Sequence, residues 1–295
     1  MKKVAIFAPT GMLGSMVYSQ LKDQYQLVLI YRGQEKLALL DKVYKGVNKH
    51  QLVRFDLADL YQDYLLGFAK EEVSPKTKFL FEQIGGVDAV INCAGMIKQK
   101  GSPDPGLMLF LNGALPHILS RQYGEKLIHI TTDCAFSGIA GAPYDENSPK
   151  SPNDLYGLSK SLGEPSATSL VLRTSIVGPE LDSGVSLLGW FLQQAGKTAK
   201  GYTTHLWNGV TTKEFAKACR KIIDSPSDFS KTGLYHVFGS DVNKYEMLEV
   251  FKKKYQVDVN IEKADPPAVD RRLRTIYDVC KKLEIPSFEK MVEEL

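Results

Sequence analysis

The chain has little of several things that would settle its class at once. Only four cysteines occur in 295 residues (Cys93, Cys134, Cys219 and Cys280), and they are scattered without metal-like spacing. That argues against a zinc module or a disulfide-stapled scaffold; no metal is expected, and a reduced, cytoplasmic chain is the simplest reading. No apolar run approaches the ~20 residues that span a bilayer, so no membrane partner is expected. The first apolar run is cut short by Pro9, Thr10 and Gly11, which suits a strand better than a signal-peptide core. A net charge of +3 with dispersed basic residues leaves no nucleic-acid footprint. Internal repeats and low-complexity stretches are missing too. What is present, 43% apolar and 24% charged residues, describes an ordinary globular protein with chain enough for a sizeable core, as one large domain or two modest ones.

Strand and helix patterns alternate from the start. Residues 4–8 form a continuous apolar run, as in a parallel strand buried on both faces. Pro9-Thr10-Gly11-Met12-Leu13-Gly14 and a helical pattern follow. A glycine at 11 lets backbone approach a phosphate, one at 14 lets the helix pack tightly on the strand, and the helix N-terminus offers free N–H groups to an anion. The first glycine of the usual dinucleotide fingerprint is replaced by Ala8. The second strand, residues 26–31, ends in Tyr31-Arg32, where a NAD-binding chain usually carries an acid. Arginine can pair with a 2′-phosphate, so NADPH is favoured over NADH; Glu35 nearby could still take the acidic role. After a third strand at 52–55, Asp56 and Leu57 are placed to meet an adenine, and Asp56 equally to cap the next helix. Residues 58–84 read as helical with a break at Ser74-Pro75, 87–91 as the fourth strand leading into Asn92-Cys93-Ala94-Gly95, 107–123 as one helix, and 127–130 as the fifth strand. Beyond a sixth strand at 169–173 the alternation weakens; 201–212 reads as a loop, 257–261 as a strand, and the last helix as 276–283.

These patterns predict an α/β fold: a doubly wound parallel sheet (Rossmann-like) with a smaller C-terminal α/β region. Residues 1–178 form the expected dinucleotide-binding domain, and 179–295 the substrate-binding region, with about 205–240 returning to the first domain. Ligands on such sheets bind at the carboxyl ends of the strands, where Gly11, Asp56, Ala94, Thr132 and Thr174 fall. Tyr156 and Lys160 are four apart and share a helix face. A neighbouring ammonium favours the phenolate and so would lower the tyrosine pKa. Thr132 could aim its hydroxyl at the same reacting oxygen.

The ordered set Thr10-Gly11-x-x-Gly14, Asn92-x-Ala94-Gly95, Thr131-Thr132-Asp133, Tyr156-Gly157-x-Ser159-Lys160 and Leu172-Arg173-Thr174-Ser175 resembles the extended short-chain dehydrogenase/reductases. Within them it is most similar to the dTDP-4-dehydrorhamnose reductases. The resemblance implies an NADPH-dependent oxidoreductase that reduces a keto group, at C4, on a nucleotide-activated deoxysugar. It implies catalytic roles for Thr132, Tyr156 and Lys160. It places Gly11, Met12 and Leu13 at the pyrophosphate, Asp56 and Leu57 at the adenine, and Cys93, Ala94 and Gly95 under the ribose, which Lys160 also holds. Asp133, Cys134 and Ile176 are implied to face the sugar. The family usually has aromatic residues where Cys134 and Ile176 stand, and Trp207 with Asn208 could rebuild that wall; Trp207 fits equally as a core anchor. The expected partners are a nucleotide-sugar substrate and, as a candidate, a second copy in a homodimer. Two rival readings stay open: a sugar-nucleotide epimerase or dehydratase of the same superfamily, or a non-catalytic regulatory subunit of this fold, as one relative is of methionine adenosyltransferase.

Overall fold

A computed structural model describes residues 1–67, 75–97, 104–182 and 184–295. Its centre is a seven-stranded sheet. The first strands are β1 (Lys3–Phe7), β2 (Gln26–Tyr31), β3 (Gln51–Arg54), β4 (Ala89–Asn92), β5 (Leu127–Thr132) and β6 (Leu170–Thr174). The seventh, Gly233–His236, pairs with β6, and the order across the sheet is Gly233–His236, β6, β5, β4, β1, β2, β3, parallel throughout. The order reverses between β1 and β4, and a crevice opens there at the carboxyl ends.

Alternation along each strand sorts side chains to the two faces. Val4 and Ile6 of β1 join Leu27 and Leu29 of β2 in one core with α1 (Met12–Leu21) and the helix Thr212–Asp224. Ala5, Phe7, Val28 and Ile30 point to the other face, against Leu60, Leu80, Phe110, Leu115 and Leu119. Both faces are covered, which is why β1 and β2 read as unbroken apolar runs.

The smaller C-terminal part is built from short pieces. Thr198–Tyr202 pairs with Asn260–Ala264, and His205–Trp207 pairs with Val242–Asn243 and Val269–Asp270. Several expectations shift here. Residues 201–212 are not a plain loop: Thr198–Tyr202, His205–Trp207 and Val210–Thr211 are strands. Their turn-like composition hides pairing partners that lie far away in sequence. The strand expected at 257–261 forms at Asn260–Ala264, the last-but-one helix shortens to Val279–Leu283, and a further helix, Phe288–Glu293, follows. The break expected at Ser74-Pro75 lies partly outside the described residues; helices Ala58–Gly67 and Pro75–Ile84 flank it. The single helix expected at 107–123 is α-helix Pro105–Leu109, a π-turn Phe110–Ala114, and α-helix Leu115–Tyr123. Pro116 cannot supply an N–H, and the widened turn ahead of it absorbs that loss. Among the described residues, no helix is long and apolar enough to cross a membrane.

Candidate active site

The cleft at the sheet's crevice has a volume of about 840 Å³, within the range of small-ligand sites. Its floor is Ala8, Thr10, Gly11 and Met12; one end is lined by Arg32 to Lys36 and Arg54 to Ala58, the other by Ala94 to Ile97. Ala8 holds the position of the missing first glycine in a left-handed conformation (φ 56°), which costs an L-residue roughly 1–2 kcal/mol. Its carbonyl is then turned against α1, so a Cβ on Gly14 would lie 2.1 Å from the Ala8 oxygen. Strand and helix could not meet this closely with any other residue at 14. Gly11 is the N-cap of α1 and makes no side-chain cap. The first-turn N–H groups are thus free for an outside acceptor, as a phosphate would require.

At the far end of the cleft, the Arg32 side chain is 73% exposed and its Nη1 lies 3.8 Å from Asp56 Oδ2. Asp56 also accepts from the Ala58 N–H at 3.0 Å, so it caps the following helix while lining the cleft with Leu57. Glu35 and Lys36 sit at the same end, and Lys36 pairs with Asp182 across the cleft at 3.1 Å. Leu13 is placed differently from Gly11 and Met12: its side chain is buried in the core, leaving only its backbone toward the cleft. Cys93 packs against the core behind Ala94 and Gly95, and burial pushes its thiol up to about 12. It backs the cleft wall and is not part of it.

Of the predicted catalytic residues, Thr132 and Tyr156 lie near each other and Lys160 lies beside Gly95. β5 runs on to Thr132, and the helix Leu155–Leu162, capped by Asp154, carries Tyr156 and Lys160. This helix lies tightly on the chain after β5: a Cβ on Gly157 would meet the Cys134 carbonyl at 2.2 Å. The Thr132 hydroxyl donates to Asp133 Oδ1 and accepts from the Cys134 N–H, each at 3.2 Å, and lies close enough to the Tyr156 phenol to favour its ionised form. Lys160 Nζ lies beside Gly95 and donates to the Ile130 carbonyl at 2.8 Å.

The proton balance differs from the sequence expectation. Burial drives the Tyr156 pKa above its ordinary value, helped by Cys134, Asp133 and Asp154, while the Thr132 hydrogen bond pulls the other way. Lys160 does not lower it, because its ammonium is drawn to Ile130. Burial brings Lys160 itself down to about 8, opposed by Glu164 and Cys93. The pair is therefore a protonated phenol and a readily deprotonated amine, and the neutral phenol is the form that donates a proton.

Asn112 is the site residue that sequence reasoning missed. The π-turn aims its amide inward: Nδ2 donates to the Met96 carbonyl at 2.9 Å and to Ser159 Oγ at 3.0 Å, and Oδ1 accepts from the Met96 N–H at 2.8 Å. Asn112 so ties the cleft wall to the helix that carries Tyr156 and Lys160. A polar residue inside the apolar first half of the helix expected at 107–123 was the sequence signal.

On the substrate side, Asp133 is buried, which raises its pKa against the opposing pull of Arg271 and Lys244. Cys134 is half-buried with its thiol pushed up to about 12, mainly by burial and then by Asp133, so it fills space and is no nucleophile. Ile176 packs partly into the core. Trp207 is a core anchor, 5% exposed and edge-on to Phe288. Asn208 corrects the expectation of a substrate contact: its amide donates to the Leu273 carbonyl at 2.8 Å and to Asp241, and accepts from the Leu273 N–H at 2.9 Å. Those bonds fasten the 270s segment and leave little for a ligand.

Residues 86–275 match the family model of the RmlD substrate binding domain. The chain belongs to this family. Within the family's reach, it is similar to the spore coat polysaccharide biosynthesis protein SpsK of Bacillus subtilis, 30% identical over 128 residues that make up 42% of this chain and 44% of that protein. It is also similar to the dTDP-4-dehydrorhamnose reductase of Streptomyces griseus (32% over 92 residues, 30% of each chain) and to the methionine adenosyltransferase 2 subunit beta of Danio rerio (31% over 137 residues, 42% of each). The matches span less than half the length of these curated relatives. Among solved structures, a dTDP-4-dehydrorhamnose reductase from Bacillus anthracis in complex with NADP superposes with TM-score 0.69 at 17% identity, covering 99% of this chain and 98% of that one. A UDP-N-acetylglucosamine 4-epimerase from Methanobrevibacter ruminantium superposes with TM-score 0.73 at 17% identity, covering 99% and 96%. At such identities these likenesses establish the Rossmann-like fold of the family.

Proposed function

We propose that this RmlD-family protein is an NADPH-dependent reductase of a keto group, at C4, on a nucleotide-activated deoxysugar. The observations that support the reading are Thr132 beside Tyr156 and, one turn along the same helix, Lys160 beside Gly95 of the cleft wall. The relatives named as dTDP-4-dehydrorhamnose reductases support the substrate class.

The cleft fits a dinucleotide on its own features: the uncapped N-terminus of α1 and the close Ala8–Gly14 approach. Its far end mixes Arg32, Lys36 and Arg54 with Glu35, Asp56 and Asp182, and the exposed Arg32 is the side chain there that supports a 2′-phosphate and so NADPH. Gly11, Met12 and the Leu13 backbone would hold the pyrophosphate, Asp56 and Leu57 the adenine, and Ala94, Gly95 and Lys160 the ribose next to the nicotinamide. Bound there, the cofactor supplies the hydride. The chain's own part is orientation and a proton. Thr132 holds the keto oxygen with its hydroxyl. Tyr156, kept neutral by burial, gives its proton to that oxygen as it becomes an alcohol, a step that general-acid catalysis accelerates ~10²–10⁴-fold. Lys160, held by the Ile130 carbonyl and beside Gly95, would hold the ribose hydroxyls next to the nicotinamide. Asn112 keeps the catalytic helix and the 94–97 wall in register.

The test is a screen of 4-keto sugar nucleotides for NADPH consumption at 340 nm, with NADH in parallel. Turnover with NADPH, reduced at least a hundredfold in Tyr156→Phe with NADPH binding unchanged, is the expected result. If no keto sugar is reduced with either cofactor, the reading fails. The match to a methionine adenosyltransferase subunit beta favours the non-catalytic alternative; Tyr156→Phe leaving cellular function intact would support it. Protein that purifies with a nicotinamide bound and turns over without added NADPH would support the epimerase.

A further inference from the structure

The segment that leaves β6 does not stay near it. In the sheet β5, β4 and β1 lie between β6 and β2, a gap of roughly 19 Å at about 4.8 Å per strand. Yet Asp182, eight residues after Thr174 at the end of β6, meets Lys36, five residues after Tyr31 at the end of β2, at 3.1 Å. The chain between must therefore cross the carboxyl ends of the intervening strands, where the crevice lies. Its course is marked by contacts. The short strand Ile176–Val177 pairs with Val210–Thr211. Gly178 presses on the first residue of the helix Thr212–Asp224, so closely that a Cβ there would collide with Thr212 Oγ1. Leu181 then packs against the core that contains α1. Glu180, Leu181 and Asp182 line the cleft together with Gly11 and Met12.

The crossing is fastened on both sides. Glu180 accepts from the Ser186 N–H at 2.7 Å, which ties the segment to the helix Leu187–Leu192. On the far side stands the ion pair, with the Lys36 side chain 45% and the Asp182 side chain 37% exposed. A pair so open to water contributes little to stability and breaks readily. That suits a fastening that opens and closes better than a fixed joint. A dinucleotide reaching from Arg32 and Asp56 to Ala94 and Gly95 passes the N-terminus of α1, and so lies beside residues 180–182. Its phosphates are anions, and Lys36 masks the Asp182 carboxylate that would otherwise repel them.

We propose that residues 178–182 form a strap across the dinucleotide cleft, and that the Lys36–Asp182 pair is its clasp, which opens each time a nicotinamide dinucleotide enters or leaves. This rests on the dinucleotide reading above. The clasp sets the rates of entry and release together and leaves the affinity nearly unchanged. Lys36 is thereby assigned to the strap, and the 2′-phosphate falls to Arg32.

Stopped-flow fluorescence of NADPH and NADH measures both rates, entry by mixing and release by displacement with an excess of the matching oxidised cofactor, in three proteins. Beside wild type, the double variant Lys36→Met with Asp182→Asn removes the clasp without changing the net charge. The reversal Lys36→Asp with Asp182→Lys rebuilds it the other way round. In the double variant entry and release should each quicken about twofold to fivefold, the factor that an exposed ion pair supplies, for NADPH and NADH alike. The reversal should return both rates towards wild type, and added salt should speed wild type towards the double variant. Rates that the double variant leaves unchanged overturn the clasp. So does an effect confined to NADPH, which would place Lys36 on the 2′-phosphate. Faster release with unchanged entry overturns it too, since the pair would then be an ordinary contact to the bound cofactor. Wild-type protein that binds neither NADPH nor NADH overturns the dinucleotide reading itself, and the strap's role with it.

Discussion

Replacing Arg173 by methionine tests the buried charge network that supports the catalytic helix. Arg173 is 1% exposed and Glu164, at the end of that helix, has a side chain 4% exposed. The guanidinium binds the carboxylate through two bonds, Nε–Oε1 at 3.2 Å and Nη2–Oε2 at 2.8 Å. Its Nη1 donates to His236 Nε2 at 2.8 Å, which leaves the His236 Nδ1 proton for the Arg274 carbonyl, also at 2.8 Å. Its plane sits 5.0 Å from the Phe136 ring centroid. Glu164 further accepts from Thr131, next to Thr132, at 3.0 Å, and pairs with Lys150 at the surface. In Arg173→Met the carboxylate stays buried, the methionine replaces the packing, and Lys150 remains as its ion-pair partner. Truncating one partner of a buried pair costs ~3–5 kcal/mol, and the retained Lys150 puts the expectation at the lower end, about 3 kcal/mol. Removing both partners, in Arg173→Met with Glu164→Gln, leaves no orphaned charge. The double variant should therefore lie well above the sum of the singles, with a coupling energy of about 1.5–3 kcal/mol. Urea unfolding of the four proteins at pH 7 gives the cycle directly. Additive losses, or a single-variant cost under about 1 kcal/mol, would refute the assignment of a stabilising buried pair and reduce it to a surface-like contact.

Gly14→Ala should destabilise the protein by about 1–3 kcal/mol and weaken NADP⁺ binding, because the new methyl meets the Ala8 carbonyl; thermal melts with and without NADP⁺ read both. Lys160 has a folded pKa lowered to about 8, so between that value and its unfolded pKa of about 10.4 the unfolded chain binds the extra proton and stability rises with pH. Relative to Lys160→Met, the wild type should gain about 1–2 kcal/mol between pH 7 and 9.5; a pH-independent difference contradicts the burial argument. Arg32→Ala should raise the KM for NADPH about tenfold and leave that for NADH nearly unchanged, as expected for loss of one charge-assisted contact; steady-state kinetics with both cofactors decide it.

The local logic of the fold was written in the residues. Apolar runs doubly buried in β1 and β2, the glycine turn after β1, and the small residues after β4 announced a parallel sheet with its ligand edge, since each depends on neighbours within a few positions. The Tyr156–Lys160 spacing announced a shared helix face for the same reason. Strands such as His205–Trp207 escaped notice because their partners, near 242 and 269, are distant in sequence and their own composition resembles a turn.

Chemistry was divided along the same line. Residue type and spacing determined which groups could meet: Thr132, Tyr156 and Lys160 at one sheet edge. Tertiary structure alone decided their state. Burial keeps Tyr156 a neutral phenol, and the Ile130 carbonyl draws Lys160 aside. It also decided that Asn208 is spent on Leu273, that a π-turn turns Asn112 into a strut, and that Arg272 and Arg274 are paired with Asp270 and Asp145. Desolvation and long-range pairing are properties of what surrounds a residue in space, and no local pattern encodes them.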